Sequence, residues 1–366
     1  MIRPTRRQTI ALTVAALAAP ALVGHATASG GTITPMASGL DEPWGLAFLP
    51  GGGFLVTERG GTLRRFDGVD ARGIVVEGVP TVRAAGQGGL LDVMLPRDFA
   101  TSRRIWLTYA HPEGNGASTA LGFGRLSSDF RRIDGFTRVH SGPPSGRGQH
   151  FGARAVEASD GSVFLTTGDR GQGALAQDPT RPEGKVLRFG PDGRPMTAPA
   201  FGGQTVVPGL WSLGHRNIQG AALDAEGRLW TVEHGARGGD EVNRPQAGRN
   251  YGWPVISYGV NYNGSPIGTG TAAPGMEQPA HYWDPSIAPS GLAIHSGRGI
   301  AAWRGHFITG SLNGGFLSRL DPAQGWRETR IQTRETQRVR DVREAPDGSV
   351  WFLSVGRGAL FRLTPA

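Results

Sequence analysis

The sequence predicts an all-β protein, a six-bladed β-propeller built from four-stranded antiparallel blades. Three observations carry that expectation. One phrase recurs along the chain: a turn with Gly or Asp-Gly, an apolar strand, a second turn, and another short strand ending near an arginine. Units of this size that repeat one strand pattern stack or close into a ring, and four-stranded units closing a ring make a propeller. The 59 glycines and 26 prolines among 366 residues are too many for a helical bundle and suit short strands joined by turns. Finally, no linker or low-complexity tract interrupts the repeat, so residues 29–366 read as one domain with a sizeable core.

From the N-terminus, residues 1–28 read as an export signal. Arg3, Arg6 and Arg7 precede an apolar run from Ile10 to Val23, and Ala26-Thr27-Ala28 offers a small-residue cleavage site before Ser29. The run is short for a membrane span and contains Pro20, and no later segment is apolar enough to cross a bilayer. The expected destination is periplasmic or secreted. TRRQTIA resembles a twin-arginine signal, but Thr9 stands where a bulky apolar residue is usual, so the export route stays open.

Gly31 to Ala37 is a candidate closing strand for the last blade. The phrase then appears from Leu49 (LPGGGFLVTERGGTLRRFD), in looser form from Leu95 (LPRDFATSRRIWLTYAHP), and from Ala158 (ASDGSVFLTTGDRG) and Asp224 (DAEGRLWTVEHG). Copies from Trp303 (WRGHFITGSLNGGFLSRLD) and Ala345 (APDGSVWFLSVGRGALFRL) complete six. The spacing widens in the later copies, which assigns the extra length to loops at Ser141 to Phe151, Gly168 to Pro208 and Gly235 to Ser290. Long loops on a rigid scaffold are where sites live.

Composition removes several function classes. With no cysteine, disulfides, thiolate chemistry and sulfur-ligated zinc are excluded. The formal charge is +8, and every basic residue except Lys185 is arginine. The arginines are dispersed rather than clustered with aromatics, which argues against nucleic-acid binding. No Gly-x-Gly-x-x-Gly stands between a strand and a helix, which argues against a dinucleotide enzyme.

The most specific stretch is Trp230 to Pro254, WTVEHGARGGDEVNRPQAGRNYGWP. It opens as a strand and breaks at Gly235, Gly238 and Gly239, which free the backbone to turn carbonyls toward one point. Hard cations such as calcium take several oxygens, from carbonyls and from carboxylates such as Glu233, Asp240 and Glu241. A solvated turn with scattered charge accounts for the same residues equally well. The run EHGxRGGDExN followed by PQxGxNYGWP resembles the glucose/sorbosone dehydrogenase family, which includes soluble quinoprotein aldose sugar dehydrogenases.

That resemblance implies pyrroloquinoline quinone (PQQ), a flat tricarboxylated ortho-quinone, as cofactor, with Ca2+. His150, before Phe-Gly, matches the family's proton acceptor, an imidazole able to take a hydroxyl proton near neutral pH. Its neighbour here is Gln149, where the distant glucose dehydrogenase has aspartate. Arg216 and Asn217, in LWSLGHRNIQG, match a pair that reaches the quinone oxygens, where arginine stabilises developing negative charge. Gln87 matches a cofactor-contacting glutamine, and Tyr262 a tyrosine lying against the cofactor. Arg338 and Arg340 alternate with Val339, so on a strand both guanidinium groups face one side; a solvated strand face is the alternative. The family uses this Arg-x-Arg for cofactor carboxylates. Gly235 and Ala236 match carbonyl ligands of the calcium bound with the quinone, and Glu241 and Tyr251 those of a second, structural calcium. Ser311, Leu312 and Asn313 stand where relatives end in lysine; asparagine donates a hydrogen bond but supplies no charge, and Arg319 is the nearest downstream compensator.

The implied reaction is oxidation of the anomeric hydroxyl of an aldose to the lactone, with electrons passed to an external acceptor, a quinone or a cytochrome. Two rivals share the fold: a calcium-dependent lactone or ester hydrolase, and a non-catalytic carbohydrate- or protein-binding propeller. The hydrolase needs a metal held by side-chain carboxylates and amides at the ring centre and has no need of paired arginines.

Overall fold

The recurring phrase folds into the same turn in four places. Leu49, Ala158, Asp224 and Ala345 each donate their N–H to the carbonyl four residues on, at Gly53, Ser162, Arg228 and Ser349, over 3.1, 2.7, 3.0 and 2.8 Å. Within the second of these, Asp160 accepts from the Ser162 N–H at 3.1 Å and Gly161 adopts φ +80°. Aspartate bonding two residues on and glycine in the left-handed region are what such turns demand. Each turn joins the first and second strands of a blade.

The computed structural model describes residues 26–28, 31–69 and 73–364. Its strands form six sheets. Five are four-stranded, beginning at Pro43, Leu90, Gly152, Ile218 and Pro289. The sixth takes Val339–Glu344, Val350–Ser354 and Ala359–Thr364 from the C-terminal end and Gly31–Ser38 from the N-terminal end. Gly31–Ser38 pairs antiparallel with Ala359–Thr364, so the two ends of the described chain close the ring with backbone hydrogen bonds. Ala26–Ala28 pairs outside Gly31–Ser38; the rest of the expected export segment lies outside the described residues. The first strands of successive blades pack on one another in order, and Val339–Glu344 packs back on Pro43–Phe48. The fold is the six-bladed propeller that the repeats predict.

Apolar side chains fill the wedges between blades. Leu55, Leu63, Leu90, Val93 and Leu107 lie together between the first two blades. Ile33, on the closing strand, is 1 % exposed and packs with Val350, Phe352 and Leu363. Ile33→Ala is expected to lower unfolding free energy by about 2–5 kcal/mol, since a buried isoleucine truncated to alanine loses transfer energy and leaves a cavity. Urea unfolding followed by circular dichroism measures it, and a loss below about 0.5 kcal/mol would show that the closing strand contributes little.

One irregularity recurs in every blade. The ladder between first and second strands slips once, at Pro43/Gly45, Leu90/Val93, Gly152/Ala155, Ile218/Gly220, Pro289/Leu292 and Val339/Asp341. Such bulges leave residues outside the pairing and re-aim their side chains. Those residues include Trp44, Asp92, Arg154, Gln219, Gly291 and Arg340, and their side chains or backbone meet at the axis of the ring. At Gly291 a Cβ would stand 2.2 Å from Asp341 Oδ1, so only glycine leaves room for that carboxylate.

Candidate active site

At the end of the ring where the first strands begin lies a cavity of about 800 Å3. Much of its wall comes from two kinds of position, residues just before a first strand and residues just after a second strand, with bulge and loop residues completing it. His150, Arg216 and Arg338 are of the first kind; Arg59, His234 and Leu312 are of the second. A propeller therefore gathers at one mouth residues that lie far apart in sequence.

His150 is fixed from two sides. Its backbone, at φ +53°, donates to Gln87 Oε1 at 2.7 Å, and its Nδ1 donates to Asp169 Oδ1 at 2.6 Å. Asp169 also accepts from the Gly171 N–H at 2.7 Å and from Trp253 Nε1 at 2.8 Å. Burial would raise the Asp169 carboxyl, but the hydrogen bond and charge of His150, the Gly171 N–H and Arg216 outweigh it and hold the group below the usual carboxylate range. With Nδ1 turned to Asp169, Nε2 is the ring nitrogen left for a substrate proton. The sequence left the partner of His150 open: it is Asp169, and Gln149 instead packs against Gly171.

Arg216 is 6 % exposed. Its backbone N–H donates to Glu233 Oε2 at 2.7 Å, its Nη1 to the His234 carbonyl at 3.2 Å and its Nη2 to Tyr262 Oη at 3.4 Å. The guanidinium lies 5.2 Å from the Trp253 ring, and its Nε is buried with no partner. A buried orphan donor costs about 1–3 kcal/mol and is a mark of a group awaiting a ligand.

Arg340 donates Nη1 to Gln219 Oε1 at 2.7 Å and sits 5.7 Å from the Trp44 ring. Burial, then repulsion from Arg154, Arg338 and Arg59, pushes it down to about 9. Arg338 stands before the strand, at φ +51°, and not on it as the alternation predicts; the bulge at Val339/Asp341 is what lets both guanidinium groups reach the cavity. Arg59 joins them, its Nη1 donating to the Gly88 carbonyl at 3.0 Å and to Gly86, and its Nη2 to Glu42. The wall thus carries Arg59, Arg216, Arg237, Arg338 and Arg340 against the carboxylates of Glu42 and Asp284.

The remaining residues divide. Gln87, Tyr262, Leu312, Asn313, Gly235 and Ala236 line the same cavity. Asn217 and Ser311 lie buried behind it: Asn217 Oδ1 accepts from the Gly152 N–H at 3.2 Å, and Ser311 Oγ donates to the Ile287 carbonyl at 2.7 Å. Arg319 lies on the third strand of the fifth blade, 4.7 Å over the Trp303 ring, and does not line the cavity, whereas Arg59, which the motifs did not mark, does. Asp240, a candidate ligand on composition, accepts instead from the Gly235, Ile287 and Ala288 N–H groups at 2.7–2.8 Å and from Ser286 Oγ, so it clamps the calcium-like loop from behind. In that loop Gly239 has φ +70°, and a Cβ there would stand 2.3 Å from the Gly259 nitrogen.

Glu241 and Tyr251 line a second, small cavity beside the first, together with Glu233. Asn243 Nδ2 bridges Glu233 Oε1 and Glu241 Oε2, both at 2.9 Å, and its own Oδ1 is buried without a partner. Burial, and then the charge of Glu233, push Glu241 up to about 8. Paired buried carboxylates beside an unsatisfied amide oxygen are an oxygen-rich setting of the kind a hard cation relieves. Among the described residues no three imidazole or carboxylate groups gather into a set that would hold a metal by side chains alone.

Residues 40–362 match the family model described as Glucose / Sorbosone dehydrogenase. The Escherichia coli aldose sugar dehydrogenase YliI is 39% identical over 366 residues, covering 97% of this chain and 96% of that protein. Among solved structures, the apo-form of the soluble aldose sugar dehydrogenase from Escherichia coli superposes with a TM-score of 0.86, at 39% identity, over 91% of this chain and 99% of that one. The PQQ-bound aldose sugar dehydrogenase from Streptomyces coelicolor superposes with a TM-score of 0.77, at 28% identity, over 92% and 98% of the two chains.

Proposed function

The chain belongs to the glucose/sorbosone dehydrogenase family, and from that premise we propose that it oxidises the anomeric hydroxyl of aldose sugars to lactones, using pyrroloquinoline quinone and calcium and passing electrons to an external acceptor outside the cytoplasm. It is an oxidoreductase acting on sugars, like the relatives that share most of its length. The observation that carries the finer reading is convergence: His150, Arg216, Arg338, Arg340, Gly235 and Ala236 open onto one cavity.

The donor set fits the cofactor. Five arginines against two carboxylates leave the wall strongly positive, which suits a flat trianion, and the orphan Nε of Arg216 has a place for an acceptor. Gly235 offers only main chain to the cavity, as a carbonyl-ligated calcium requires. Quinone and calcium bound there supply the two-electron acceptor that amino-acid side chains lack. The protein's own residues do the rest. Asp169 orients His150, whose Nε2 takes the hydroxyl proton from the sugar. Arg216 holds its fixed positive charge where negative charge develops. Arg338, Arg340 and Arg59 supply the cationic side that Asn313 does not.

The hydrolase reading finds less support, because the ring centre holds Asp92 and Asp341 already engaged by Arg154 and Arg343. The test is to load the mature protein with quinone and calcium, add a panel of aldoses, and follow bleaching of a redox dye. Bleaching is expected; none, together with metal-dependent lactone cleavage, would replace this reading with the hydrolase.

Calcium has a separate expected effect. At free calcium about 100 times its dissociation constant, the apoprotein gains about 2.7 kcal/mol of stability. Glu241→Gln removes most of that gain in a calorimetric scan, and a Glu241→Gln protein that calcium stabilises as fully as the parent would remove Glu241 from the ligand set.

A further inference from the structure

The floor of the cavity is held from beneath by a side chain that does not line it. Arg154, on the bulge of the third blade, is 1 % exposed. Its Nε donates to the Gln219 carbonyl at 2.7 Å, its Nη2 to the Arg340 carbonyl at 3.1 Å, and its guanidinium lies 4.2 Å from the Trp44 ring. Gln219, Arg340 and Trp44 are three of the four cavity residues furnished by bulges, Leu91 being the fourth. The same guanidinium is locked by two carboxylates, Asp92 Oδ1 at 3.0 Å and Asp341 Oδ1 at 3.1 Å. The third and sixth blades face each other across the ring, so a side chain reaching both spans the axis.

We propose that Arg154 is a positioning residue for cofactor binding: it fixes the Trp44–Gln219–Arg340 floor in the geometry that receives the quinone, and thereby sets the affinity of the apoprotein for it. The inference rests on the quinone reading given above. Its physical basis is preorganisation. Arg340 carries a half-buried charge toward the cavity, and its backbone and its Gln219 partner are both tethered to Arg154, so the ligand does not have to order them on arrival.

Arg343 provides the control. It bonds the same two carboxylates, Asp92 Oδ1 at 2.8 Å and Asp341 Oδ2 at 3.0 Å, with no hydrogen bond to Trp44, Gln219 or Arg340. Arg343→Met should cost stability as a member of the ion network while leaving the floor in place. Arg154→Met removes both roles. Arg154→Lys keeps a positive charge between Asp92 and Asp341 but lacks the planar fork that reaches the two carbonyls, and it covers the case in which Arg154→Met fails to fold.

The measurement is calorimetric titration of pyrroloquinoline quinone into calcium-loaded apoprotein, with thermal midpoints recorded alongside. Both Arg154 variants are expected to bind at least about tenfold more weakly than the parent, as supporting residues around a ligand site commonly do. Arg343→Met is expected to bind within about twofold of the parent despite a lower midpoint. Arg154 variants that bind like the parent would overturn the proposal, as would an Arg343→Met protein that loses affinity to the same degree. If the parent itself takes up no quinone, the cofactor reading falls first; if the parent binds and the Arg154 variants are indistinguishable from it, this inference alone falls.

Discussion

His150→Gln is expected to lower kcat/KM about 100- to 10,000-fold, the usual contribution of a positioned general base. Glutamine fills similar space and can still donate to Asp169 Oδ1, which His150 Nδ1 meets at 2.6 Å. What it lacks is a basic nitrogen. The residues proposed to hold quinone and calcium are others, so the titrated affinity for both should stay within about threefold of the parent. That split separates loss of chemistry from loss of cofactor. A His150→Gln enzyme with turnover within tenfold of the parent would hand the base role to another group.

Arg216→Met is expected to reduce kcat about 100- to 1,000-fold, the scale seen when a fixed donor aimed at developing charge is removed. Its environment makes the estimate one-sided. Three of its contacts, to the His234 carbonyl, Tyr262 Oη and the Trp253 ring, hold the guanidinium still, and its Nε waits without a partner. Methionine occupies similar volume and can lie on the same indole, so packing survives while the charge goes. Single-turnover reduction followed by absorbance, with cofactor saturating, isolates the chemical step. Should that step proceed at the parental rate, Arg216 acts in binding alone.

Much of this was legible in the sequence because a propeller writes its architecture as repetition. The phrases from Leu49, Ala158, Asp224 and Ala345 are literal copies of one turn, and the turn carries its own glycine and aspartate chemistry. His150, Arg216, Arg338 and Arg340 were found as short motifs, and they meet in space. Asp169, inside TTGDRG, meets His150 because the two continue the Gly152↔Thr167 pair at the open end of one hairpin, a register that the slip at Gly152/Ala155 hides from simple strand counting. Arg59, in VTERGG, follows its blade's second strand just as His234 and Leu312 follow theirs; aligning the copies by that position would have marked it. The bulges escaped notice for a different reason. Slippage between paired strands leaves alternation of apolar residues nearly intact, so Trp44, Gln219 and Arg154 read as ordinary strand residues.

Those six slips tie the blades together at the hub. A residue that stands outside the ladder is held by its neighbours across the axis rather than by strand pairing, so the hub residues are coupled to one another, as the Asp92–Arg154–Asp341 contacts and the Cβ-free space at Gly291 show. A new guest at the axis therefore has to be installed by changing several blades together, because a single exchange at Arg154 or Gly291 strands the carboxylates of Asp92 or Asp341.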